Sequence, residues 1–314
     1  MIHHVFANKS NVGDWLSAQG IQSLLAPLEV TEYTCDTPFV PSVIAALSRL
    51  SKEDLIVIGG GGLFMNYFTP FWEGFKTIAS HVPFCIWGVG YCDEKREPTC
   101  ISEDLLAEVI SKSKFTVVRD ELSRMHLARC SLPEPVACPS INVIPPLPPG
   151  FGLLHVDNYT TAGADVFDAM DASGREFARL TGRQYRRTNN RIPSGSQFAL
   201  EDTLRKYAQS DVVLTSGLHG CVIALVMGRK VIAVSGDLKL ESFMQAAGLS
   251  EWVLDIGDVD RLKEYWPELP SQCPSNEFIE TTIENNRRIA AAVLECAKDL
   301  CFPGGTAIEG AVGS

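Results

Sequence analysis

Short apolar runs rich in β-branched residues alternate along the chain with longer segments of helical periodicity. Runs at 2–7, 28–33, 54–58, 84–87 and 114–118 each predict a strand, and patterns over 15–25, 41–50 and 71–80 predict helices between them. A proline-rich run, Pro145-Pro146-Leu147-Pro148-Pro149-Gly150, then interrupts the alternation with an extended, semi-rigid linker. The rhythm resumes with a strand at 152–156, helices at 167–180 and 201–209, and a strand at 212–214. It continues with a helix from Leu218 or His219, a strand at 231–234, a helix at 238–247, a strand at 252–254 and helices at 259–265 and 276–300. This order predicts α/β domains at 1–144 and 151–302, joined by the linker at 145–150, with a loose glycine-rich tail at 303–314.

The stretch SDVVLTSGLHGCVIALVMGRKVIAV, residues 210–234, organises the rest. It reads as strand, tight turn, buried helix ended by Gly228, and strand: a βαβ crossover. Ligands of such units lie beyond the carboxyl ends of the strands, against helix N-termini. His219 falls there, with Ser216, Gly217 and Gly220 around it.

Other strand ends carry similar chemistry. Asn11, Gly13 and Asp14 follow the first strand, where Asp14 is expected to cap the next helix, to face a ligand, or both. Gly59-Gly60-Gly61-Gly62 follow the third, and Gly60, Gly61 and Gly62 can turn backbone N–H groups on an anion or hydroxyl. Asp93 and Glu94 follow the fourth. Arg119, followed by Asp120, ends the fifth; its fork suits a carboxylate or phosphate, or it pairs internally with Asp120 or Glu121. Arg175, Arg179 and Arg183 share a face if the helix at 167–180 continues, and Arg186, Arg187 and Arg191 extend that patch, either as a solvated face or as an anion-holding surface.

These patches resemble the polysaccharide pyruvyl transferase family. The shared features are Asn11-x-Gly13-Asp14, the glycine run, Arg119-Asp120-x-x-Ser123, Cys138-Pro139-Ser140 and Ser216-Gly217-Leu218-His219-Gly220. One position departs: Gly217 stands where the family usually has arginine. The resemblance implies two Rossmann-like domains facing a cleft, the GT-B arrangement. It also implies transfer of pyruvyl from phosphoenolpyruvate to two sugar hydroxyls, giving a ketal on a cell-surface glycan, its exopolysaccharide or a lipid-linked precursor. His219 is then the base, favoured in its neutral form by the helix N-terminus, and Asp14 or Asp93 the acid. Asn11, Gly13, Gly60, Gly61, Gly62, Glu94, Arg119, Arg183, Arg187, Ser216, Gly217 and Gly220 bind substrate. With glycine at 217, the donor's anionic groups are expected to fall to Arg119, the 183–191 arginines or Lys230. The alternatives are a GT-B glycosyltransferase using a nucleotide-sugar and a glycan-binding member without turnover.

Composition narrows the choice. The 314 residues are 46% hydrophobic and 21% charged, values of a globular chain. A net charge of -11 argues against nucleic acid or an anionic membrane as the main partner. The N-terminus carries no signal-peptide pattern and no run is long enough to span a membrane, so a cytoplasmic enzyme is expected. The 10 cysteines lack CxxC spacing, which predicts core thiols, no metal and no cofactor beyond the donor substrate.

Overall fold

The computed structural model describes residues 1–301, apart from 96, 98, 159–162, 274 and 275; the tail expected from 303 lies outside the described residues. The first lobe runs β1 (Ile2–Phe6), α1 (Val12–Leu25), β2 (Val30–Thr34), α2 (Val40–Leu47) and β3 (Leu55–Gly59). It continues with α3 (Thr69–Ile78), β4 (Phe84–Val89), α4 (Glu103–Ile110), β5 (Thr116–Val118) and α5 (Glu121–His126). The second runs β6 (Gly152–Val156), α6 (Ala164–Thr181), β7 (Gln184–Thr188), α7 (Gln197–Ala208), β8 (Val212–Thr215), α8 (Leu218–Val226) and β9 (Lys230–Ser235). Then come α9 (Leu238–Ala246), β10 (Val253–Asp255) and α10 (Asn276–Cys301).

Both sheets are parallel throughout and share one topology. Their orders are β2-β1-β3-β4-β5 and β7-β6-β8-β9-β10. The central strands β1, β3, β4, β6 and β8 are buried at every residue, as strands covered by helices on both faces must be.

Three local expectations are corrected. Helix α1 starts three residues before the predicted 15. Its cap is Asn11, whose side-chain oxygen accepts from the N–H of Gly13 at 2.9 Å and of Asp14 at 3.4 Å. Asp14 is therefore not the cap and sits in the first turn. Helix α6 stops at Thr181 because Gly182 takes a left-handed φ of 70°, so Arg183 lies past its end, and Arg186 and Arg187 belong to strand β7. The helix expected at 259–265 is a 3-10 stretch, Ile256–Glu264.

Helix α10 does not belong to the second lobe alone. Phe278, Ile279 and Ile283 pack on that lobe's core, but Ile289, Ala290 and Val293 join Ile2, Val57 and Trp87 of the first. Trp87 donates its indole N–H to the Asn286 side-chain oxygen at 2.9 Å. A helix of 26 residues is about 39 Å long, enough to lie along both lobes. The order of elements alone does not say which sheet such a helix covers.

Candidate active site

The lobes meet along a cleft of about 590 Å³ formed by strand ends and the loops after them. Two backbone seams hold it. The first joins the β1–α1 loop to the loop after β7: Val12 N–H donates to Asn190 O at 2.9 Å, and Ile192 N–H to Ser10 O at 2.7 Å. The second joins the loop after β4 to the start of α9: Lys95 N–H donates to Gly236 O and Leu238 N–H to Asp93 O, both at 3.0 Å.

His219 lies between these seams, on the first turn of α8, its ring half-buried and lining the cleft. The ring rests on the backbone of Gly13. A Cβ at Gly13 would come within 1.9 Å of Nδ1, so only glycine fits. Nε2 is 3.5 Å from the buried thiol of Cys138, which also lies 3.3 Å from Ser17 Oγ and accepts from Ser140 Oγ at 3.1 Å. When the thiol donates to Ser17, Nε2–H can donate to sulfur. That tautomer leaves the lone pair on Nδ1, over Gly13.

The surrounding charge sets the protonation of this imidazole. Burial, followed by the positive fields of Arg119 and Lys239, pushes its pKa down to about 3. These causes favour the same neutral form that the helix N-terminus is expected to favour. Arg119 is buried, donating from Nε to Asp120 at 3.0 Å and from Nη2 to Tyr91 O at 3.0 Å. Lys239 pairs with Asp237 and lies 3.1 Å from Cys92 Sγ. Burial works against its charge, but Asp237 and Cys92 more than offset this, so its pKa ends above the ordinary lysine value. Asp14 faces the same cleft, accepting from Asn8 at 3.1 Å. Burial raises its carboxyl to about 6, despite opposing fields from Arg119 and Lys239.

Of the residues expected here, Asn11, Asp14, Gly62, Arg119, Gly217, His219 and Gly220 line the cleft, and Gly13 floors it. Gly60 and Gly61 do not line it. Gly61, with φ 101°, packs so closely that a Cβ would lie 2.7 Å from Asp14 Oδ1. Ser216 is buried behind the cleft, accepting from Asn158 N–H at 2.8 Å. Asp120 caps α5. Asp93 turns away to His126, Nε2 to Oδ2 3.3 Å, and does not line the cleft. Glu94 forms a backbone bridge to Asp237 and does not line it either.

The arginine surface does not form as expected. Arg183 pairs with Asp211 at 2.7 Å and stacks over Phe151 and Phe177. Arg175 pairs with Asp171 at 2.6 Å. Arg187 pairs with Asp157 at 2.6 Å; Asp157 lines the cleft, but Arg187 does not. Lys230 donates to the carbonyls of Leu269 and Pro270, far from the cleft wall. Arg191 alone of that series reaches the cleft. Sequence reasoning missed Lys239, which lines the cleft one crossover past the 210–234 unit. Extending the strand-end rule to the loop after β9 would have found it. It also missed Cys138 as the partner of His219, and the polar wall of Asn8, Asp157, Asn158, Asn189 and Asn190.

Two parallel α/β lobes with their strand ends on one cleft define a GT-B-like protein. Likeness to solved structures agrees. A UDP-GlcNAc 2-epimerase from Methanocaldococcus jannaschii superposes with a TM-score of 0.60 at 10% identity, over 94% of this chain and 99% of that one. The UDP-GlcNAc 2-epimerase of Neisseria meningitidis gives 0.58 at 11%, over 94% and 99%. An uncharacterized protein from Klebsiella pneumoniae gives 0.51 at 15%, over 80% and 89%. At these identities the likeness establishes the fold alone. No curated protein matches the sequence significantly. The family model for polysaccharide pyruvyl transferase matches residues 11–237. This chain belongs to the polysaccharide pyruvyl transferase family. No helix among the described residues is long and apolar enough to cross a membrane.

Proposed function

We propose that the protein transfers pyruvyl from phosphoenolpyruvate to two hydroxyls of a sugar, forming a cyclic ketal on a cell-surface glycan or its precursor and releasing phosphate. The supporting observation is that His219, Asp14, Arg119 and Lys239 line one cleft, where burial and the two cations lower the imidazole pKa and burial raises that of the carboxyl to about 6. Such a divergent pair suits acid and base roles. Arg119, Lys239 and Arg191 receive the donor's carboxylate and phosphate in place of the arginine that Gly217 replaces. Protonated Asp14 delivers a proton to C3 of the enol, leaving oxocarbenium character at C2. One sugar hydroxyl adds there, and its proton passes to Nδ1 of His219. Phosphate leaves from C2, the second hydroxyl closes the ring, and its proton departs with phosphate. The first hydroxyl's proton replaces the one spent from Asp14. The wall of Asn158, Asn189 and Asn190 offers amide donors and acceptors to acceptor hydroxyls.

Phosphate release from phosphoenolpyruvate in the presence of glycosides bearing paired free hydroxyls tests this. His219→Ala is expected to reduce the rate by roughly 10²–10⁴-fold. Saturable binding of a nucleotide-sugar that phosphoenolpyruvate does not displace, without phosphate release, would support the glycosyltransferase alternative instead.

A further inference from the structure

Outside the cleft, three segments distant in sequence converge on one point. Asp93 follows β4, Cys100 lies seven residues on, and His126 ends α5. One ligand atom from each, carboxylate oxygen, thiol sulfur and imidazole nitrogen, lies within 4.8 Å of the other two, and all three residues are half-buried. The described residues at the two ends of this segment lie close together. There Cys92 O accepts from Thr99 Oγ at 2.7 Å and from Cys100 Sγ at 3.7 Å. His126 is held by stacking on Tyr91, centroids 4.6 Å apart.

We propose that Asp93, Cys100 and His126 bind a zinc ion that fastens this loop to α5. The mixed N, S and O donor set suits a borderline divalent cation held tetrahedrally and disfavours calcium or magnesium, which take oxygen ligands. Three protein ligands leave a fourth position for water. Coordination converts the Cys100 thiol to thiolate and releases its proton to solvent. The spacing of the cysteines did not suggest a metal, because no two ligands are close in a zinc-binding pattern; the fold brings them together.

The location gives the ion its role. The same loop clasps the second lobe: Asp93 O accepts from Leu238 N–H, Lys95 N–H donates to Gly236 O, and Lys95 pairs with Glu241 and Asp255. Leu238 opens the helix that carries Lys239. An ion at the loop's base therefore steadies the seam beside the cleft cation without touching substrate.

Cobalt titration of the full chain under reducing, oxygen-free conditions tests the site. The expected result is a near-ultraviolet thiolate-to-cobalt band saturating at one equivalent, together with the strong visible bands of tetrahedral cobalt. Zinc should bleach both, and excess magnesium should leave them unchanged. Cys100→Ser should abolish the charge-transfer band. His126→Ala, a change at a half-exposed helix end that spares the fold, should weaken binding by more than the roughly 10–100-fold typical of losing an outer partner. Zinc should also slow tryptic cleavage after Lys95 in the native chain but not in His126→Ala. A band that fails to saturate at one equivalent, or that persists at full amplitude in Cys100→Ser, would overturn the site. Cleavage after Lys95 that is indifferent to zinc would overturn the pinning.

Discussion

The two lobes have the same strand order and carry similar side chains after their first strands, but differ at the loops after the third and fourth. After the first strand of each sheet the first lobe presents Asn11 and Asp14, and the second presents Asp157 and Asn158. After the third strand the first lobe has its glycine run and the second has His219. After the fourth the first has Cys92 and the second has Lys239. The first lobe thus contributes a floor of close backbone, a carboxyl pushed to about 6 and the Arg119 cation. The second contributes an imidazole and a cation on helices entering from the other side. A shared scaffold fixes where a loop points, and the residues on it decide what it does.

The contact between Gly13 and His219 is where the lobes depend on each other most. Gly13→Ala puts a methyl into the imidazole. The ring must move, and a misplacement of about 1 Å can cost roughly 10²-fold in rate. The expected outcome is a loss of kcat of that order with little change in donor affinity, measured by phosphate release and calorimetry. Unchanged kcat would mean the imidazole takes no part in the chemistry.

The cleft cations and the edge arginines give the next test. Lys239→Met removes a charged hydrogen-bond donor worth roughly 1.5–3 kcal/mol, or about 10–150-fold in donor affinity. Arg183→Met should leave donor KM within about twofold, because that side chain is held by Asp211 and two aromatic rings away from the cleft. Equal effects from both would place the anion site on the second lobe's edge.

This contrast also marks what the sequence made legible. The alternation of strands and helices and the 210–234 crossover can be read directly, because buried parallel strands and glycine-ended helices leave local patterns. Arginine density at 175–191 stands out for the same reason, yet Arg175, Arg183 and Arg187, on α6 and on or beside edge strand β7, have carboxylate partners of their own. Lys239 lay within reach of the strand-end rule carried one loop further, past β9, whereas the contact of Cys138 with His219 was illegible because it exists only in the tertiary fold. The path of α10 across both lobes was hidden likewise, since an apolar stripe does not name the surface it will cover. Of the two roles open to Asp14, capping fails because the helix begins three residues earlier, where Asn11 already accepts from the N–H groups of Gly13 and Asp14.

Gly217 lets the comparison be sharpened by adding a group. Its backbone, φ -125° and ψ 139°, is ordinary for any residue, and a Cβ there would meet only Asn158 at 3.4 Å and 3.9 Å and Thr215 at 4.0 Å. Gly217→Arg should therefore fold and bring a further guanidinium to the cleft. If the donor is phosphoenolpyruvate, its KM should fall by up to about tenfold, the weaker end of a charged hydrogen bond. A KM that rises, with nucleotide-sugar binding intact, would show that the glycine keeps room for a different donor.

The smallest effect concerns Asp14 and stability. Its folded-state pKa, about 6, lies above the ordinary 3.8, so the native state holds this proton more tightly than the unfolded chain does. Its contribution is full below pH 4, declines as pH rises through about 6, and is lost above that. The shift of about two units corresponds to at most ~3 kcal/mol. The side chain is open to the cleft, and screening there reduces this to about 1 kcal/mol. Asp14→Asn should match the native protein in thermal stability near pH 4 and exceed it by about 1 kcal/mol at pH 8. It should also remove the decline in phosphate release that the native enzyme is expected to show as pH rises past about 6, because the proton donor itself is gone. A stability gap that does not vary with pH would mean the carboxyl is solvated like any surface aspartate, and the acid role would have to move to another group on the first lobe.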